Sequence, residues 1–304
     1  MRAVSDAARA AIERARSAFL CACRLDVAVR KPGNVSHASP GHGMEPAMFL
    51  ASAEAAAGPL FEPGARVGRR IEAAVAASWD AVGCNTNLGI VLLCAPIAAA
   101  VERLPQADTA AALRQAIDAV LADLDLDDTR AAYRAIARAR PAGLGEVPAE
   151  DVHQPPRLDL RSAMALAASR DSIARQYATG FADVFQLALP LWPRGLVPMA
   201  NEESSQPDAA TKAFVQRVYL GLLSRLADSH IVRKHGEAVA HTVMRAAQGW
   251  RVQSDAGLAL DAMPTFVAWD ASLKAAAINP GTSADLTVAT LMIAGVLAAS
   301  RPRR

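Results

Sequence analysis

Leu88-Gly89-Ile90-Val91-Leu92-Leu93-Cys94-Ala95-Pro96-Ile97-Ala98-Ala99-Ala100-Val101 is the most apolar run of the chain. A helix that spans a bilayer needs roughly 20 apolar residues. This run is about fourteen long and contains a proline, so it reads as a helix buried in a protein core. Outward from it, apolar side chains recur at spacings of three and four, while alternating β-branched runs of strand type are nearly absent. The pattern predicts an all-α protein, a single multi-helix bundle of about ten to twelve helices in one domain over 1–304. Helices are expected at 5–29, 46–60, 65–80, 87–103, 108–122, 127–139, 160–188, 208–227, 231–247, 257–277 and 284–299. The Pro-rich stretches 141–157 and 189–207 read as surface connections.

Composition narrows the function. With 52% hydrophobic residues in 304, there is ample material for a large core. Thirty-two basic against thirty acidic residues leave a formal charge of +2, so no global positive field recruits nucleic acid or anionic lipid, and any phosphate site must be local. Aromatic residues make up only 5%, which leaves few platforms for stacking single-stranded nucleic acid. Residues 1–17 mix Asp6 and Glu13 with arginines and lack the apolar stretch of a secretory signal, so a cytoplasmic protein without membrane attachment is expected. Cys21, Cys23, Cys84 and Cys94 form no CxxC pair and read as inert thiols; the six histidines show no HExxH spacing, which argues against zinc.

Three loops share an unusual design. The first is Arg30-Lys31-Pro32-Gly33-Asn34-Val35-Ser36, followed by His37 and His42; the second is Gly83-Cys84-Asn85-Thr86-Asn87-Leu88-Gly89; the third is Asn279-Pro280-Gly281-Thr282-Ser283-Ala284-Asp285-Leu286. In the second and third, Asn, Thr or Ser stands where a helix N-cap belongs, and Gly lets the backbone approach a ligand. Free N–H groups at the positive end of a helix make an anion site without a Walker motif. Each loop taken singly also reads as an ordinary cap or turn. A fourth segment, Asp228-Ser229-His230-Ile231-Val232-Arg233-Lys234-His235-Gly236, offers Arg233 and Lys234 to polyphosphate oxygens. Asp228 and Asp285 would repel a triphosphate unless a hard cation, Mg²⁺, bridged them. The segment Arg170-Asp171-Ser172-Ile173-Ala174-Arg175-Gln176-Tyr177 allows an Asp171–Arg175 pair on an exposed face, or a cleft wall carrying Asp171, Arg175, Gln176 and Tyr177.

Together, in this order, the segments resemble the triphosphoribosyl-dephospho-CoA synthase family, which builds the prosthetic-group precursor of citrate lyase and malonate decarboxylase. The resemblance rests on Lys31-Pro32-Gly33, on Gly83 with Asn85-Thr86 and Gly89, on Asp228 with Arg233 and Gly236, and on Pro280-Gly281 with Ser283-Ala284-Asp285-Leu286. It implies a magnesium-dependent transferase that moves the ribose triphosphate of ATP to the 2′-hydroxyl of dephospho-CoA and releases adenine. On this reading Lys31, Gly33, Asn34, Asn85, Thr86, Asn87, Gly89, Arg233, Lys234, Gly281, Thr282 and Ser283 hold phosphates, and Asp228 and Asp285 hold the metal. Lys31 is also placed among the catalytic residues, and Asp26, Asp171 or His42 serves as base. The chain departs from the family pattern at Ser36, where an acidic residue is usual, and at Asn87-Leu88, where His-Lys is usual, which marks a divergent branch. A related ribosyl or phosphoribosyl transfer in another, pterin-type cofactor pathway and a non-catalytic helical scaffold stay open as alternatives, as does a homodimer.

Overall fold

The computed structural model describes residues 5–141, 151–193, 196 and 207–300; most of the two expected surface connections, at 142–150, 194–195 and 197–206, lies outside the described residues. Within them the chain is all-α. In order come α1 (Asp6–Ala28), α2 (Pro46–Leu60), α3 (Val67–Val82), α4 (Leu88–Arg103), α5 (Ala110–Ala122), α6 (Leu126–Ala139), α7 (Leu160–Ala167), α8 (Ser172–Thr179), α9 (Ala209–Leu223), α10 (Ser229–His235), α11 (Glu237–Asp255), α12 (Pro264–Ala275) and α13 (Gly281–Ala299). No strand occurs among the described residues; two isolated bridges, Ser36 with Ser39 and Gly41 with Met44, pin the turns after α1. Many starts carry the side-chain oxygen that an N-terminal turn requires. Ser5 accepts from the Ala8 N–H, Thr109 from Ala112, and Asp125 and Asp128 form a reciprocal capping box on α6.

The apolar run 88–101 lies in α4, buried from Ile90 through Val101. Pro96 lacks an N–H, so the Leu92 carbonyl four residues back loses its helical partner. The hydroxyl of Tyr177 donates to that carbonyl at 2.6 Å, which satisfies both buried groups and ties α8 to the core helix. Beside α4, and against α1 and α9, runs α13, which is buried on all sides from Thr282 to Val296 except at Asp285. This helix has the length that 88–101 lacks: by length and composition it could cross a membrane, yet 78% of its apolar window is buried inside the structure. Helix α9 is shared by two cores. Its Val215, Val218 and Leu222 face the main core, whereas Tyr219, Leu220 and Leu223 join Ile231, Val243 and Phe266 in a second cluster, closed by Trp250 against Phe266 and Trp269.

Among the described residues the α-helices number thirteen rather than ten to twelve because two expected helices are broken. The stretch 160–188 divides at Asp171, whose carboxylate caps α8, and again at Gly180 (φ +60°), before a π turn at Val184–Ala188. The stretch 231–247 begins earlier, at Ser229, and divides at Gly236 (φ +86°), after which α11 continues to Asp255. In 257–277 only Pro264–Ala275 is α-helical, and the last helix begins at Gly281 rather than 284. The break at Asp171 brings Arg170, Asp171, Ile173 and Ala174 to the wall of a cleft.

Candidate active cleft

The first and third loops meet at the inner end of α1. Gly33 has φ +81°, and a Cβ there would lie 2.7 Å from Pro280 and 2.9 Å from the Ile278 carbonyl, so the two loops interlock only with glycine at this position. The Gly33 N–H donates to Asp270 at 2.9 Å, Tyr219 donates to the Pro32 carbonyl at 2.7 Å, and the Asn34 amide donates to Asn279 at 3.0 Å. The second loop is braced from below: Thr86 donates to Ser52 at 2.6 Å and Asn87 to Ser78 at 3.0 Å, while Asn85 accepts the Leu88 N–H at 3.2 Å. These contacts place three loops, distant in sequence, around one cleft of about 410 Å³, within the size range of small-molecule sites.

Of the expected site residues, Asp26, Asn34, Asn85, Thr86, Asn87, Gly89, Asp171, Arg233, Gly281, Thr282 and Asp285 line this cleft. Four others lie behind its wall. Lys31 is fully buried; its ammonium sits 3.1 Å from Asp26 Oδ1 and also donates to the Asp26 carbonyl, so it braces an acid rather than reaching a phosphate. Gly33 gives its N–H to Asp270. Ser283 and Asp228 are occupied with each other: Oδ2 of Asp228 accepts the Ser283 N–H at 2.7 Å and hydroxyl at 2.8 Å. Asp228 Oδ1 accepts the N–H groups of His230 and Ile231. A carboxylate holding four donors caps two helices and has no open side for a metal, which corrects the metal assignment of Asp228 and the phosphate assignment of Ser283.

His42 and Lys234 are not on the cleft wall. His42 bends the first loop at φ +58° and donates from Nε2 to the Gly33 carbonyl at 2.7 Å; Lys234 is exposed. The cleft wall on α8 is Arg170, Asp171, Ile173 and Ala174, with Gln176 and Tyr177 in the core behind. Arg175 pairs with Asp183 at 2.8 Å instead of Asp171, and Asp171 pairs across the cleft with Arg233 at 2.6 Å. His230, to which the sequence pattern assigns no role, also lines the cleft. Its ring lies over Gly281, where a Cβ would meet Nδ1 at 2.7 Å. Burial, then the charges of Arg233 and Lys234, push its pKa down to about 4, so the imidazole is neutral at physiological pH.

Asp285 and Asp26 are two of the carboxyls that line the cleft. Asp285, just past the first turn of α13, reaches the first turn of α4, where a Cβ on Gly89 would stand 2.1 Å from Oδ2. No donor among the described residues bonds its carboxylate. Burial, then the negative charges of Asp26 and Asp228, hold its pKa well above the usual carboxylate range, against the pull of Arg233. Burial likewise raises Asp26, but Lys31 opposes that shift. The result is two acids in one site with unequal claims on a proton or cation. Among the described residues no group of three His, Cys, Asp or Glu gathers into a metal cage.

An all-helical fold with acids, two arginines and the N-termini of α4 and α13 around a small-molecule cleft defines a class of helical enzymes acting on anionic substrates. The model of the CitG family, ATP:dephospho-CoA triphosphoribosyl transferase, matches residues 12–303. The chain belongs to that family and is a transferase of this kind, with cofactor biosynthesis as its setting. Its fold is similar to a crystal structure described as a triphosphoribosyl-dephospho-CoA synthase of Archaeoglobus fulgidus, with a TM-score of 0.60 at 21% identity, covering 83% of this chain and 100% of that one. No curated protein matches the sequence.

Proposed function

We propose that the cleft carries out its family's reaction, transfer of the ribose triphosphate of ATP to the 2′-hydroxyl of dephospho-CoA, with Asp26 and Asp285 as the central groups. The observation that carries this reading is the pairing of a lysine-braced acid with an unbraced one at a single site. In such a transfer the C1′–N9 bond of ATP breaks, a bond forms from C1′ to the acceptor oxygen, the hydroxyl proton passes to a base, and adenine leaves protonated. Positive charge develops on the sugar, so nearby carboxylates favour the transition state. Asp26, kept toward its ionised form by Lys31, is the base for the acceptor hydroxyl. Asp171 is held by Arg233 and by two N–H groups of α8, which leaves it a positioning role.

Arg233, Asn85 and Thr282 line the space where a triphosphate would sit. Magnesium fits this site through Asp285, whose carboxylate has no donor among the described residues; with only one or two protein carboxylates, substrate phosphates and water would complete the shell, as is usual for this ion. When bound, the ion would neutralise triphosphate charge. Neutral His230 offers one donor and one acceptor to the substrate without adding charge. Purified protein with ATP, Mg²⁺ and dephospho-CoA should release adenine only when all three are present, as read by chromatography. Release with a different acceptor and none with dephospho-CoA would overturn the assignment.

A further inference from the structure

Beyond the polar groups, the cleft has a second wall that no catalytic role uses. Leu160, Ala163, Met164 and Ala167, at spacings of three and four, place one face of α7 in the cleft, and Ile136 of α6 joins them. These five side chains contain no hydrogen-bond donor and no oxygen or nitrogen acceptor. The wall is also incompletely covered. Leu166 lines the same cleft and is 52% exposed, and Leu158 just before α7 is 37% exposed; these are two of the four large exposed hydrophobics among the described residues. The apolar strip is thus continuous with the acid site and opens to solvent at its outer end.

We infer that this strip seats the pantetheine chain of dephospho-CoA while the ribose of the same molecule lies at Asp26. The inference rests on the proposed function. Of the two substrates, ATP has only one weakly polar part, adenine, and a buried purine must pair its ring nitrogens and amino group or lose their hydration. The α7 face provides nothing for that. The pantetheine chain instead carries a pair of geminal methyl groups and several methylenes, which suit Leu160, Ala163, Met164 and Ala167. Its two amides can turn to the open side, where water satisfies them. A long flexible chain also needs an open-ended channel, as the exposure of Leu166 provides.

The test compares dephospho-CoA with the P²-methyl ester of ADP, which keeps the adenosine and the diphosphate diester and lacks the chain. In the wild-type protein the ester should show a KM, or an inhibition constant where it does not react, about tenfold above the KM of dephospho-CoA. Ala167→Phe, which fills the strip, should raise the KM for dephospho-CoA about tenfold and leave the ester and ATP within about twofold. Leu166→Asp, at a half-exposed position where folding is not at stake, should move the same ratio in the same direction. Equal constants for the two acceptors in the wild type, equal losses for both in the variants, or a loss confined to ATP would overturn the assignment, the last because adenine would then be the occupant. Failure of the wild type to release adenine with dephospho-CoA would instead remove the proposed function, and this assignment with it.

Discussion

Helices α4 and α13 both begin at the cleft, and both have a carboxylate near their first turn. At α13 the carboxylate is Asp228, buried, with four donors on its two oxygens. At α4 it is Asp285, which leans over Gly89 and has no donor among the described residues. The same residue type at the same kind of helix end serves opposite ends. Burial raises the pKa of both, but four donors oppose the shift at Asp228, which joins α10 to α13 and holds the site's shape, whereas Asp285 has no such donors among the described residues and is available to substrate or cation. Sequence placed both in one metal pair, and only the directions of neighbouring N–H groups separate them.

The contrast can be broken at either end. Asp285→Asn should lower kcat for adenine release by roughly 10³-fold, with an unchanged or higher melting temperature because a poorly paired charge is removed. A variant that keeps its activity would end the assignment of Asp285. Asp228→Ala should do the reverse: about 3 kcal/mol of stability lost in urea unfolding, since four donors lose their acceptor. If stability is unchanged, the cap has been misread.

His230 sharpens the comparison through pH. Its folded pKa of about 4 lies below the ordinary value of 6.5, so between these limits the unfolded chain binds a proton that the folded chain does not. Stability should therefore fall as pH drops from 6.5 toward 4, by at most about 3 kcal/mol, and be unaffected by this group above 6.5. His230→Asn should flatten that fall, and an identical profile for the two proteins would show that the ring is not held neutral by its surroundings. The smallest effect is expected at Tyr177→Phe. Loss of its hydroxyl leaves the Leu92 carbonyl without a donor and should cost about 1–2 kcal/mol, measured by thermal melting.

Much of the fold was legible because helical periodicity reports burial directly: Ile90 to Val101 and the apolar face of α1 needed no partner to be recognised. The breaks at Asp171 and Gly236 were missed because apolar spacing continues across them, and a single cap or left-handed glycine outweighs periodicity only once the neighbouring helices are in place. The loops that form the cleft were also legible, through Gly, Pro and Asn at turns. The direction of individual charges was not. Lys31 has a long side chain that can turn either way from its backbone; the structure turns it inward to Asp26, at 3.1 Å. The α7 strip escaped notice because Leu160, Ala163, Met164 and Ala167 have the spacing of ordinary core residues, and sequence does not show that one side of the helix faces open space.

The interlock of Gly33 with Pro280, and of Asn34 with Asn279 across 245 residues, sets an order for biosynthesis. At roughly 5–20 residues per second of translation, the first loop waits many seconds on the ribosome for its partner. Through that interval α1 lacks α13, the helix that covers much of its apolar face, and the cleft is incomplete. Activity is therefore expected only once the last helix, α13, has docked, because Gly281, Thr282 and Asp285 complete the cleft.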